Sequence, residues 1–120
     1  MKEISMPKRE IANILNKVKV EGIDDIAKFQ KKPKTFTALP AITYKQIGDS
    51  IKRQFGEMIV LKETFGFEIS VYGKKSSDVS LIVKEVKKQM LLAGYRYLTG
   101  SDDEDETVDF KFTMVYERSV

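Results

Sequence analysis

The most constraining feature of this chain is a change of hydrophobic period within "FEISVYGKKSSDVSLIVKEV", residues 67–86. Up to Tyr72 the apolar residues alternate with the others, which is typical of a strand with one buried face. From Val79 they recur three and four residues apart, which predicts a helix with one apolar stripe. A strand followed directly by a helix, each with one face to bury, favours a fold in which the two faces cover each other.

The remainder of the chain supplies further elements with one apolar face. A first helix is predicted from Met6 to Val18, with Ser5 as its cap and Pro7 in its first turn, where a missing N–H costs nothing. Its stripe consists of Ile11, Ile14, Leu15 and Val18. Strands are predicted at 26–30, 41–47, 65–73, 95–98 and 108–116, and a second helix from a cap at Ser76 or Ser77 to Ala93, followed by Gly94.

These elements predict one α+β domain over residues 1–120. The expected architecture is a two-layer sandwich, in which a mainly antiparallel sheet packs against two helices. A turn is predicted at residues 48–50, and residues 51–63 fit either a strand or a short helix, so the middle of the sheet, over 48–64, stays open. The segment "TGSDDEDE", residues 99–106, is too charged to be buried and is predicted to be a loop.

The composition argues against an enzyme. The chain has no histidine and no cysteine, so the commonest general base, the commonest metal ligand and all thiol chemistry are absent. Hydrophobic residues make up 42% and charged residues 32%, a globular profile. The N-terminal stretch "MKEISMPKRE" has no apolar core typical of a signal peptide, and no membrane segment is predicted. No cofactor is expected.

Two short motifs suggest chemistry that their spacing does not support. The corner Gly73-Lys74-Lys75-Ser76-Ser77 lies where a phosphate loop would lie, but the preceding glycine, Gly66, is separated from Gly73 by six residues instead of four, and Lys75 takes the place of the Ser/Thr of a P-loop. The serines are therefore expected to cap the following helix. The run "SDDEDE", residues 101–106, lacks the alternating ligands, the glycine and the closing glutamate of an EF-hand.

The charges are unevenly distributed along the chain. Residues 1–55 carry 12 Lys and Arg against 6 Asp and Glu, whereas residues 56–120 carry 9 against 12. Opposite charges on two halves suit stacking of copies or contact with charged partners, although they also suit ordinary solvated faces. The candidate interface residues are the basic group Lys31, Lys32 and Lys34 and the acidic group Asp102, Asp103, Glu104, Asp105 and Glu106. The stretch "KFQKKPK", residues 28–34, also interleaves Phe29 with lysines, as single-stranded nucleic-acid surfaces do.

The order of features resembles a known family. After a short N-terminal helix come "PAITYKQI" (40–47), "FEISVYG" (67–73), the helix in "SSDVSLIVKEVKKQMLLAGYRYL" (76–98), an acidic loop and "VDFKFTMVYERS" (108–119). This pattern is similar to that of the tail-terminator, or tail-to-head joining, proteins of long-tailed bacteriophages and prophages. The likeness is best from Pro40 to Arg118 and rests on residue types rather than on a chemical signature.

The resemblance implies a structural role in virion assembly. The protomer would form a hexameric ring on the head-proximal end of the tail tube, stop polymerisation of the tube protein and present a surface to the head-completion protein. DNA would pass through the ring without sequence-specific binding. The protein would lie at the head–tail junction of the virion, and in the host cytoplasm before assembly. The alternatives are a head-closure or other head–tail connector subunit, a small nucleic-acid-binding module, and an enzyme of unrecognised type.

Overall fold

The computed structural model describes the backbone of residues 7–48, 51–55, 58–62 and 64–119, and side chains within 9–47 and 66–118. Two helices and seven strands lie in these ranges. Their bounds are α1 Pro7–Leu15, β1 Ala27–Phe29, β2 Ala41–Gly48, β3 Ile51–Phe55, β4 Met58–Lys62, β5 Thr64–Gly73, α2 Ser76–Leu92, β6 Arg96–Asp103 and β7 Phe110–Ser119.

Five strands form one sheet in the order β1-β2-β5-β7-β6. The pairs β2–β5, β5–β7 and β6–β7 are antiparallel, and only the short β1 pairs in parallel with its neighbour β2. The apolar stripes of α1 and α2 pack on one face of this sheet, which we call the helix face. The predicted α+β fold, a mainly antiparallel sheet packed against two helices, is confirmed.

The core lies between the helix face and the two helices. Both predicted stripes are buried in it: Ile11, Ile14, Leu15 and Val18 from the first helical region, and Val79, Ile82, Val83, Val86 and Met90 from α2. The sheet contributes Ile42, Tyr44, Phe67, Ile69, Val71, Met114 and Tyr116. Pro7 opens α1 as predicted, while the expected cap Ser5 lies outside the described residues.

The prediction that Ser76 or Ser77 caps α2 is wrong. The N-cap residue is Lys75, which has extended backbone angles, and its carbonyl accepts the N–H of Val79. No side chain caps this end. A Cβ built at Gly73 would lie 2.8 Å from a methyl carbon of Val79, so the side chain of Val79 packs directly onto the end of β5. α2 thus begins at Ser76, and this contact packs its first turn against the end of β5.

The C-terminal end of α2 is closed by Gly94, as the sequence predicts. Gly94 has φ +88°, in the left-handed region that favours glycine. Its N–H donates to the carbonyl of Leu91, and the N–H of Tyr95 donates to that of Met90. These two bonds form a Schellman motif, which turns the chain from the helix into β6.

Replacing Gly94 by alanine is expected to lower the free energy of unfolding by about 1–2 kcal/mol, because a Cβ is disfavoured at this positive φ. Chemical denaturation would measure the change. Ser80→Ala, at an exposed position within α2, is the control and should change stability by about 0.5 kcal/mol or less. Equal stability of Gly94→Ala and the wild type would contradict the role given to the glycine.

Two regions differ from the sequence-based expectation. Within the undecided residues 48–64, the structure has the antiparallel pair β3–β4. Of the predicted acidic loop, Thr99–Asp103 belongs to β6, and the connection to β7 begins only at Glu104. The prediction of a loop over residues 99–103 is therefore wrong. An edge strand can carry charges freely, because its side chains remain in solvent.

Candidate functional site

The face of the sheet opposite the helices, here called the second face, is covered in part by residues 30–40. Tyr72, near the end of β5, lies on this face and is only 2% exposed. The ring of Phe36 packs against the ring of Tyr72 at 4.6 Å between centroids, and Phe29 packs against Phe36 at 6.2 Å. The Tyr72 hydroxyl shares a 3.1 Å hydrogen bond with Thr43. The alternation of β5 puts Tyr72 on the side opposite Phe67, Ile69 and Val71, and the segment that covers this side belongs to the same chain.

A cluster of charges lies beside Tyr72 on this face. Lys111 of β7 is 5.3 Å from the centroid of the Tyr72 ring and forms ion pairs with Asp103 at 3.2 Å and Asp105 at 3.9 Å. Lys32, from the predicted basic group, also forms an ion pair with Asp105. The cluster therefore ties the segment between β1 and β2 to the turn between β6 and β7.

Asp105 is the most restrained member of the cluster. Its side chain is 4% exposed and accepts hydrogen bonds from Lys32 and from the backbone and hydroxyl of Thr107. Burial alone would raise the pKa of Asp105, but the bonds from Lys32 and Thr107 outweigh it and hold the pKa at about 2. Burial likewise lowers the pKa of Lys111, yet Tyr72 and the two carboxylates raise it on balance. Both groups are therefore held in their charged forms.

The predicted interface residues divide into two sets. The first is joined within the chain: Lys32 pairs with Asp105, and Asp103 pairs with Lys111. The second is exposed, and its members form no ion pair with another described residue: Lys31, Lys34, Asp102, Glu104 and Glu106. Part of the charge contrast between the halves of the sequence is thus used inside the fold, and the second set, together with the exposed part of Asp103, remains available to a partner.

The nucleic-acid interpretation of "KFQKKPK" loses its aromatic residue. Phe29 is half-buried against Phe36, so its ring face is not free to stack on a base. What remains of this stretch is a short group of solvent-facing lysines.

The free edge of β6 is the feature that sequence reasoning missed. β6 pairs with β7 on one side, and no other described strand pairs with its outer side. Its register slips between Tyr97 and Thr99, where Leu98 is bulged and 45% exposed. No local pattern in "LTGSDD", residues 98–103, marks this strand, because its residues do not alternate between apolar and polar.

Tyr97 is held on the helix face of β6 by a glycine. A Cβ built at Gly100 would lie 1.9 Å from the Tyr97 hydroxyl oxygen, so the ring can lie across the strand only because Gly100 has no side chain. The Tyr97 ring also meets Tyr116 edge-to-face at 5.4 Å, and the ammonium of Lys87 lies 4.8 Å from its centroid. Tyr97 is nevertheless 40% exposed.

A groove of about 660 Å³ lies between α2 and the tip of the β6–β7 hairpin. Apolar side chains of Val79, Val83, Phe110 and Phe112 line it, with Lys84 and Lys87 on the helix and Asp102, Asp103 and Asp109 on the hairpin. The groove thus offers apolar contacts flanked by both signs of charge. Within the described ranges, no group of three or more His, Cys, Asp or Glu side chains could hold a metal ion.

The β3–β4 hairpin forms a sheet of its own. Its strands pair with each other over five residues each, and neither pairs with another described strand. β4 reads "MIVLK", with four consecutive apolar residues. A two-stranded hairpin in water is marginally stable at best.

The comparisons with known proteins add no family. No protein-family model matches the sequence, and no curated protein matches it. Among the helices that the structure describes, none has the length and apolar character needed to cross a bilayer.

Proposed function

We propose that this chain is a structural virion-assembly protein of a long-tailed phage or prophage. In this role it caps the head-proximal end of the tail tube, ends tube polymerisation and joins tail to head. The sequence resemblance motivates the assignment. A small α+β protomer is what the resemblance implies, and the fold agrees with that expectation.

The observation that carries the proposal is the pair of unsatisfied strand surfaces. In the described part of the chain, the outer side of β6 pairs with no strand, and the β3–β4 hairpin pairs with no strand of the five-stranded sheet. A ring subunit needs two different complementary surfaces, so that each copy contacts one neighbour with each of them. A chain without histidine, cysteine or a phosphate loop has its distinctive features in such surfaces rather than in a reaction centre.

The proposed partners follow from this role. Copies of the chain form the ring, the tail tube protein meets one side of it, and the head-completion protein meets the other. DNA passes through without base-specific contacts, and no cofactor takes part. The exposed Lys31, Lys34, Asp102, Glu104 and Glu106 are candidates for these contacts.

Electron microscopy of lysates tests the assignment. The gene would be deleted from the phage or prophage that carries it, and the wild-type gene supplied from a plasmid as the control. Filled heads beside unattached, overlong tails are expected. Emptied heads beside tails of normal length would instead indicate head closure, and normal virions would contradict an assembly role.

A further inference from the structure

The acidic half of β6 is an open template for another strand. From Thr99 to Asp103 it pairs with β7 in regular register, beyond the bulge at Leu98, and its residues are mostly exposed. Its outer side has no strand partner among the described residues. The unpaired N–H and C=O groups of such an edge pair readily with a further strand. Asp102, within this segment, is exposed and forms no ion pair with a described residue.

β3 has the length and charge to fill this position. It spans five residues, the same length as the regular part of β6, and its sequence "IKRQF" contains Lys52 and Arg53. It pairs with β4 on one side, and no described strand pairs with its other side. A basic strand beside an acidic edge is electrostatically complementary.

The two surfaces lie at opposite ends of the same molecule. The hairpin joins the end of β2 to the start of β5, and Gly66 at that start aligns across β7 with Arg96, the first residue of β6. The acidic residues of β6 lie seven positions further along, roughly 24 Å away at the rise of an antiparallel strand. The protein measures 53 × 27 × 21 Å. β3 therefore meets the acidic edge of a second copy more readily than its own.

We infer that β3 of one copy adds to the edge of β6 in the next copy, antiparallel, with Lys52 opposite Asp102. This register also places Arg53 opposite Ser101 and diagonal to Asp103, where cross-strand charges attract. The parallel alternative, with the two five-residue segments fully overlapped, places Gln54 opposite Asp102, and antiparallel pairing through β4 places Ile59 there, so neither sets a basic residue opposite Asp102. The inference rests on the proposed function and deepens it, because each copy gives β3 to one neighbour and β6 to another, as a closed ring requires.

Cysteine cross-linking tests the register directly, since the natural chain has no cysteine. Purified Arg53→Cys and Ser101→Cys proteins would be mixed under mild oxidation and analysed on a non-reducing gel. Opposite residues of paired strands have Cβ atoms within disulfide range. A mixed disulfide dimer is expected, at least about tenfold above the control mixture of Gln54→Cys and Ser101→Cys, in which adjacent strand positions face opposite ways. Equal yields from the two mixtures would overturn the inference.

A charge-reversal experiment tests the direction of the contact without cysteines. Lys52→Glu/Arg53→Glu damages only β3, and Asp102→Lys damages only the β6 edge. In sedimentation velocity each variant alone should self-associate at least about tenfold more weakly than wild type. Their equimolar mixture should associate again, because the intact β3 of one variant can join the intact β6 of the other, and the two reversed charges at positions 52 and 102 attract each other in the remaining contact. Lys17→Glu/Lys19→Glu, at two exposed positions after α1, is the charge-matched control and should self-associate as wild type does. Unchanged association of the first two variants would reject the contact.

The two proposals can fail separately. A mixed disulfide together with normal virions after gene deletion would retain the strand contact and reject the tail-terminator role. Overlong tails after deletion, together with equal cross-linking in both mixtures, would retain the role and reject the contact.

Discussion

Replacing Phe67 by alanine is expected to lower the free energy of unfolding by about 3–5 kcal/mol, the largest effect we expect of any single substitution considered. Phe67 is fully buried on the helix face of β5, and its ring meets that of Tyr95 edge-to-face at 6.2 Å between centroids. The substitution removes most of a large side chain from the middle of the core, and the surrounding β-sheet cannot close the resulting cavity. Urea denaturation followed by circular dichroism measures the loss.

The chain offers a control of the same residue type. Phe110 begins β7 and is 42% exposed, so Phe110→Ala leaves no closed cavity and should cost about 1 kcal/mol or less. A similar loss of stability for both substitutions would mean that the packing of β5 against the helices is not what holds this domain together.

The elements with a clear period were predictable from the sequence. The alternation in β5 and the helical stripe of α2 report local geometry and burial on one face, and both depend only on neighbours in sequence. Gly94 was predictable for the same reason, because a helix followed by a glycine is a local pattern. The start of α2 was not, since serine is a common capping residue and yet Lys75 is the N-cap residue here, with no side chain capping this end.

The parts that depend on distant partners were beyond local patterns. Lys32 and Asp105 are 73 residues apart in sequence, and each lies in a segment that reads as an ordinary solvated loop. Thr99–Asp103 reads as a loop because charge is the usual mark of one, yet pairing with the strongly alternating β7 makes it a strand. The candidate site therefore consists of features that the order of the strands creates. Among the described residues these are the unpaired outer side of β6, the separate β3–β4 hairpin, and the segment with Phe36 that covers the second face.

The internal pairing of Lys32 with Asp105 also changes how the charge contrast of the sequence is interpreted. A basic first half and an acidic second half suggested contacts between molecules. In the structure, a lysine of the first half holds a carboxylate of the second, and the segment that carries Phe36 is thereby fixed over Tyr72. Fewer of the predicted interface charges are therefore available for a partner than the sequence suggested. Those without an ion pair to a described residue lie between β1 and β2, at the edge of β6 and in the turn between β6 and β7.

Replacing Asp105 by asparagine should remove a pH-dependent part of the stability. The pKa of Asp105 is about 2 in the folded protein against an ordinary 3.8, so the folded state favours the ionised carboxylate. Its contribution is complete above pH 3.8 and is lost as the pH falls from there toward 2. At neutral pH the substitution should cost about 1–2 kcal/mol, a value reduced because Lys32 is partly exposed to solvent.

Urea denaturation of both proteins from pH 7 to pH 2 measures this dependence. The wild type should be more stable at pH 7, and the difference should shrink through the acidic range until the two curves meet near the folded pKa of about 2. Glu106→Gln, which neutralises the exposed neighbour, is the control and should follow the wild type. Lys32→Gln should cost little more in the Asp105→Asn background than Asp105→Asn alone, because the two residues act on stability through one ion pair. A constant difference between wild type and Asp105→Asn at every pH would show that the carboxylate contributes by packing alone, and that its charge does not hold the covering segment on the second face.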